Sequence, residues 1–263
     1  MSEPTPQEVA PDQAAPDPPG LLRRTGRAVL RRAVDAGLVG ERLQRHVVVC
    51  GYPRSGSTLL QLMVDACVDG VDSFTGEVEG RWAAEHAPRR RPYLLTKRPA
   101  DVEEVAALRA WYARHPGRLQ VVVTERDPRD VLVSRHSGYP PSRGYYCSPQ
   151  RWRRVHDLLG RLGEADDVVR VRYEELVTDP AAVERRLADA VGWSVQHPFA
   201  QWHAVVQHGR LDRMTQGALG GVRPLDASSV GGWRRPEHAG RMAQVRAALP
   251  ELDDVLASEG WEP

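Results

Sequence analysis

The sequence predicts a three-layer α/β/α domain built on a central, mainly parallel sheet. Three observations carry that expectation. Val47-Val48-Val49-Cys50 and Val121-Val122-Val123 are continuous β-branched runs of the kind buried on both faces of a parallel sheet. Each run leads through a short turn into a segment with helical apolar spacing, residues 57–63 after the first and 131–134 after the second. The 263 residues contain no visible repeat and no apolar run of membrane-spanning length, and they suffice for one large core.

Composition narrows the function classes. A net charge of +1 argues against a general nucleic-acid binder, so any basic surface is local. The cysteines Cys50, Cys67 and Cys147 have no metal-like spacing and leave one odd, which fits a reduced, cytoplasmic setting. Cys50, inside a β-branched run, reads as a small core residue.

The elements follow in chain order. Residues 1–20 are rich in Pro, Ala, Gln and acid, have little to bury, and are expected to be a disordered tail without a signal-peptide pattern. Residues 21–45 form a basic amphipathic helix by pattern, with Leu22, Val29, Leu30, Val34, Leu38 and Leu43 among seven arginines. It either packs on the domain with its arginines in water or makes a weak membrane-surface contact. A single domain is expected over residues 46–263.

That domain opens with the strand at Val47 and the loop Gly51-Tyr52-Pro53-Arg54-Ser55-Gly56, after which Ser57-Thr58 starts a helix. Strand, glycine-bounded loop and helix N-terminus make an anion cradle, because consecutive backbone N–H groups point into it. The arrangement is P-loop NTPase-like, but Ser57 stands where a nucleoside-triphosphate site carries its lysine. An ordinary ATPase or GTPase is thereby disfavoured, while phosphate binding by the backbone survives. Arg54 supplies a cation elsewhere in the loop.

Beyond it, Gly76-Glu77-Val78-Glu79-Gly80 encloses two carboxylates in a segment that a doubly wound sheet directs toward the same crevice. Tyr93-Leu94-Leu95-Thr96 reads as a short strand ending in the cations Lys97 and Arg98, and residues 101–114 as a helix through Val102, Val105, Leu108 and Trp111. The next strand, residues 118–124, runs into Glu125-Arg126-Asp127-Pro128-Arg129-Asp130 and a helix. Arg126 at the strand end and Ser134, two turns into that helix, can grip a second phosphate. Residues 138–147 are rich in breakers and aromatics and make a candidate acceptor loop or lid, or a surface turn. Helices are expected at 149–162, 179–191 and 241–256, a strand at 167–173, and irregular chain at 203–225 with His208, Arg210 and Arg213 near the site.

These motifs carry a resemblance. Residues 51–58 resemble the 5′-phosphosulfate loop of sulfotransferases that use 3′-phosphoadenosine-5′-phosphosulfate (PAPS), and residues 126–134 resemble their 3′-phosphate motif with the arginine-to-serine spacing intact. Val171-Arg172-Tyr173-Glu174-Glu175-Leu176 is similar to the segment that sets a tyrosine beside the adenine. Gly231-Gly232-Trp233-Arg234-Arg235 is similar to the late Gly-x-Trp-Lys/Arg segment. The family order is kept from residue 46 to residue 235.

The resemblance implies roles. Arg54, Ser55, Gly56, Ser57 and Thr58 would bind the 5′-phosphosulfate, with Arg54 balancing charge on the bridging oxygen. Arg126 and Ser134 would take the 3′-phosphate, and Tyr173, Trp233 and Arg234 would complete the cofactor site. Thr96-Lys97-Arg98-Pro99 lacks the catalytic histidine of the cytosolic members and is closer to the heparan sulfotransferases. There, as in the tyrosylprotein enzymes, a glutamate after the loop helix is the base. Glu77 is then the expected general base, with Glu79 its close rival, and Lys97 lies near the sulfuryl group. Leu59 replaces the tryptophan that often stacks adenine.

The expected reaction is in-line sulfuryl transfer, governed by positioning and charge stabilisation and needing no metal. Its acceptor is a hydroxyl, or secondarily an amine, of a small molecule, glycolipid or carbohydrate. An arginine- and alanine-rich composition fits a GC-rich bacterial genome and secondary metabolism. Two other readings stay open: a nucleotide-dependent phosphotransferase, and a binding module that keeps the nucleotide site without catalysis. The sequence leaves the oligomeric state undefined.

Overall fold

A computed structural model describes residues 29, 33, 38, 39, 41–87, 90–135, 144–206, 219 and 221–261. The expected tail, most of the expected 21–45 helix, much of the 138–147 loop, and His208, Arg210 and Arg213 lie outside the described residues.

Five parallel strands form the sheet: β1 (Arg45–Gly51), β2 (Val71–Ser73), β3 (Tyr93–Lys97), β4 (Arg118–Glu125) and β5 (Val168–Arg172), in the order β2-β3-β1-β4-β5. The valine runs become the two central strands, as continuous β-branched character requires. Alternate residues serve opposite faces. Val47 and Val49 pack with Leu60, Met63, Leu187 and Trp202 on one side, and Val48, Cys50, Val121 and Val123 pack with Leu132, Trp152 and Leu252 on the other. Helices cover both faces, which makes the three layers. The chain fills one side of β1 and then crosses to the other. The carboxyl end of β1 is therefore a topological switch point, the place where such sheets hold ligands.

Helices α1 (Ser57–Cys67) and α2 (Gly80–His86) are followed by a 3-10 turn, Pro99–Glu103, and α3 (Val105–Tyr112). The expected single helix over 101–114 is thus two pieces. Arg98 precedes Pro99 and is extended at φ −153°, ψ 116°, so the chain enters a tight turn before α3 begins. Helix α4 (Pro128–Val133) is capped by the Asp127 side chain, which accepts from the Arg129 amide at 2.8 Å. It stops one residue before Ser134, which has extended backbone at φ −70°, ψ 138°. The expected placement of Ser134 two turns into a helix is corrected accordingly.

Helix α5 (Pro149–Leu162) is as expected, and two short elements carried too little periodicity to be read: β2 and α6 (Tyr173–Thr178). Helix α7 (Pro180–Val191) and a helical turn α8 (Trp202–Val205) follow. The expected closing helix over 241–256 is α9 (Ala239–Ala248) and α10 (Leu252–Ser258), separated where Pro250 forces Leu249 out of helical backbone, to φ −130°, ψ 74°.

Candidate active site

The loop after β1 is held from below. Gly51 has φ +127°, and a Cβ there would lie 2.4 Å from the Thr124 carbonyl oxygen of β4, so only glycine lets the strands approach while the chain turns. The buried Ser55 hydroxyl donates to the Tyr52 carbonyl at 2.6 Å and lies 2.7 Å from the Thr124 hydroxyl, which itself donates to the Cys50 carbonyl at 3.2 Å. Ser55 therefore fixes the loop through its side chain. Gly56, at φ +87°, lies so close to the Tyr173 ring that an added Cβ would sit 2.6 Å from it. Helix α1 starts at Ser57 with no side-chain cap, and its first-turn N–H groups at Ser57, Thr58 and Leu59 lack intrahelical acceptors. That is the donor end of an anion site.

Two arginines meet at this loop. Arg54, in the left-handed region at φ 67°, donates through Nε to the Ser134 hydroxyl at 3.1 Å. Arg126, at the carboxyl end of β4, donates through Nη1 to the Arg54 carbonyl at 3.2 Å and through Nη2 to the Ser229 carbonyl. Its guanidinium lies 4.4 Å from the centre of the Tyr173 ring, and the Tyr173 hydroxyl is 2.7 Å from that of Ser229. Burial, and then the positive charge of Arg126, pull the Arg54 pKa down. Arg126 Nε is buried with no hydrogen-bond partner. Two crowded cations, one with an unused buried donor, suit an anion bound between them.

The late segment is tied to the same place. Asp130 Oδ2 accepts from the Gly231 amide at 2.8 Å and Asp130 Oδ1 from the Trp233 amide at 2.9 Å, while Arg126 stands 3.6 Å away. The guanidiniums of Arg129 and Arg234 lie 4.0 and 4.4 Å from the Trp233 ring centre. Trp233 is thus engaged by cations, and Tyr173 by Gly56 and Arg126. Ser229 and Asp130 were not singled out in the sequence, although Asp130 stands four residues from Arg126, the spacing that brings it onto one side of a helical turn.

Across the crevice, Lys97 at the end of β3 is buried, and its Nζ lies 3.2 Å from Glu77 Oε1, on an exposed carboxylate. The Val78 amide donates to the Lys97 carbonyl at 3.2 Å. Glu79, the residue preceding α2, accepts from Arg98 Nη1 at 2.9 Å. Because Val49 pairs with both Lys97 and Val122, this cluster and the arginines stand at the ends of neighbouring strands. The structure places Arg54, Ser55, Gly56, Ser57, Thr58, Arg126, Ser134, Tyr173, Trp233 and Arg234 around the loop after β1, and Glu77, Glu79 and Lys97 at the end of the neighbouring strand β3; His208, Arg210 and Arg213 lie outside the described residues.

The Sulfotransferase family profile matches residues 73–197, a span holding Glu77, Lys97, Arg126, Ser134 and Tyr173. Through that central region the chain is similar to the sulfotransferase family. Solved sulfotransferases share its fold. The sulfotransferase domain of the Synechococcus olefin synthase aligns at a TM-score of 0.55 and 18% identity, over 82% of this chain and 95% of that one. A sulfotransferase from Mycobacterium avium aligns at 0.52 and 13%, over 89% and 81%. A mouse sulfotransferase complexed with PAP aligns at 0.51 and 14%, over 89% and 93%. No curated protein matches the chain by sequence. The family match and the shared fold support a transferase, of the kind that moves sulfuryl groups. Among its described residues no helix is long and apolar enough to cross a membrane.

Proposed function

We propose that this sulfotransferase takes its sulfuryl group from PAPS and passes it to a hydroxyl of a small-molecule, glycolipid or carbohydrate acceptor, with Glu77 as general base. The observation that carries the reading is the meeting of Arg54, Arg126 and Ser134 at an uncapped helix N-terminus, with the Arg126 Nε donor buried and unused. The chemistry of this donor set fits a nucleotide with two separate phosphate positions, since backbone N–H groups serve one and the arginine and serine side chains the other. PAPS, when bound, supplies the activated sulfuryl group.

The protein's own residues then have distinct work. The α1 N-terminus with Ser57 and Thr58 holds the 5′ side, and Arg126 with Ser134 selects the 3′-phosphate. Tyr173, Trp233 and Arg234 border the nucleotide. Glu77 accepts the proton of the acceptor hydroxyl, and Lys97, paired with it at 3.2 Å, both orients that carboxylate and places positive charge beside the transfer. Glu79 is the weaker candidate because Arg98 already holds its carboxylate at 2.9 Å.

Calorimetric titration with 3′-phosphoadenosine-5′-phosphate (PAP) and with 5′-AMP tests the reading. PAP is expected to bind at least about tenfold more tightly, since hydrogen bonds to a charged group contribute about 1.5–3 kcal/mol. Equal affinities would remove the 3′-phosphate site, and no binding of either would remove the nucleotide.

A further inference from the structure

The proposed base lies on a segment with little regular structure of its own. Residues 74–79 join β2 to α2 outside helix and strand, and Glu77 is exposed. What anchors the segment lies beneath it. Asp101, fully buried in the 3-10 turn after β3, accepts the Gly80 amide through Oδ2 at 2.8 Å. Its Oδ1 lies 3.4 Å from Arg98 Nε without completing a hydrogen bond. Arg98 in turn grips Glu79 at 2.9 Å. Gly80 packs closely on this anchor: an added Cβ would come within 3.2 Å of Asp101 Oδ2, tighter than ordinary contact, and 3.4 Å of the Thr96 hydroxyl.

We propose that Asp101 is a positioning residue for the transfer: its buried carboxylate holds the Gly80 amide and the Arg98 guanidinium, and through them fixes the 77–80 segment with Glu79 on Arg98 and Glu77 on Lys97. This rests on the assignment of Glu77 as base. Asp101 touches neither donor nor acceptor and acts only through the segment it anchors.

The charge state of this anchor is within physiological reach. Burial pushes the Asp101 carboxyl up to about 7; the Gly80 hydrogen bond and the Arg98 charge pull it down, and Glu79 and Glu104 add to the rise. Another titratable neighbour, the Cys50 thiol of β1, is held neutral by its own burial, with Asp101 adding to its upward shift, and buried His46 hydrogen-bonds Thr96 beside Gly80. Because the folded-state pKa lies above the usual carboxylate value, the stability that protonated Asp101 contributes is fully present below about pH 4 and lost as pH rises through 7. An ionised Asp101 therefore costs stability at the pH where it grips Arg98 best.

Asp101→Asn retains an acceptor for Gly80 and removes the charge. Four measurements on the full chain separate the outcomes: the pH titration of the Gly80 amide signal by NMR, thermal melting at pH 5 and pH 8, PAP affinity by calorimetry, and PAP release from PAPS with water as acceptor. In that last reaction a water oxygen bonds to sulfur, the bond from sulfur to the bridging oxygen breaks, PAP leaves with the electron pair, and Glu77 takes the water proton. In the wild type the Gly80 signal is expected to titrate near pH 7, and PAP release to fall as pH drops through that point. In Asp101→Asn the titration is expected to vanish. Release at pH 8 is expected to fall by at least about tenfold, within the loss that misplacing a catalytic group causes. PAP affinity should stay within about twofold, and the variant should melt higher than the wild type at pH 8, with the gap closing at pH 5. An unchanged release rate in the variant at pH 8, or a PAP affinity that falls in step with release, overturns the proposal.

Arg98→Met gives a second route if Asp101→Asn does not fold. It is expected to keep the Gly80 titration but move its midpoint upward, because a cation beside the carboxylate is lost, and to slow release; an unmoved midpoint overturns the proposal. If the wild type binds no PAP, the nucleotide assignment fails while the Gly80 titration still reports on the anchor, so the two failures are distinguishable.

Discussion

Glu77 and Glu79 are two residues apart and chemically alike, and their partners make them different. Lys97 is buried, so its ammonium has few alternatives to the Glu77 carboxylate 3.2 Å away, and that carboxylate stays open to an acceptor. Arg98 holds Glu79 at the mouth of α2. Glu77→Gln is expected to lower kcat by about 10²–10⁴, the range of general-base catalysis, with PAP affinity within about twofold. Glu79→Gln should cost less and act through the segment's position. Rapid-quench turnover with labelled PAPS compares them, and a larger loss for Glu79→Gln would transfer the base assignment. At this scale the sequence supplied both candidates, because the residue types are visible, and put Glu77 first through the family resemblance; which cation each carboxylate meets is visible only in the structure.

Among the elements, α4 shows how a short helix organises a site. Asp127 caps it, Pro128 starts it, and its end at Val133 leaves Ser134 in extended backbone, where its hydroxyl meets Arg54. The same helix offers Asp130 to the late segment through two amide hydrogen bonds, so residues 231–233 are docked by one buried carboxylate. Asp130→Ala is expected to speed hydrogen exchange at the Gly231 and Trp233 amides by at least about tenfold and to weaken PAP binding. The basis is that a buried acceptor to two amides is lost, each left-over donor costing about 1–3 kcal/mol. Exchange at Val121 and Val123 in the central sheet should stay unchanged. Amide exchange by mass spectrometry reads both. The helix boundaries were legible where proline or an aspartate cap marks them and were missed at Leu249, where one proline splits a continuous apolar pattern, and at α6, which is too short for periodicity to show.

For the molecule as a whole, the binding site is a place of stored electrostatic cost. Arg54 and Arg126 crowd one another, burial raises the carboxyl pKa of Asp130 and Glu174 beside Arg126, and it does the same to Asp101 beside Arg98. An anion between the arginines relieves part of that cost, so PAP is expected to stabilise the fold. At a hundred times its Kd, linkage gives about 2.7 kcal/mol, or a rise in Tm on the order of 5–10 °C for a chain of this size. Scanning fluorimetry with PAP, and with sulfate at matched ionic strength, checks it. A Tm unchanged by PAP would argue against the two-phosphate site.

The sequence by itself determined the parallel α/β/α architecture, the anion cradle after the first strand and the spaced Arg126 and Ser134, because β-branched runs, glycine positions and local spacing are properties of adjacent residues. The tertiary structure decided what those residues face. It set Tyr173 against Gly56 and Arg126, brought Ser229 and the 231–233 segment more than a hundred residues along the chain to Arg126 and Asp130, and placed Asp101 under Gly80. Hydrogen bonds and charge pairs across such separations depend on how the elements pack, and burial, which sets the charge state of Asp101, exists only once the core has closed.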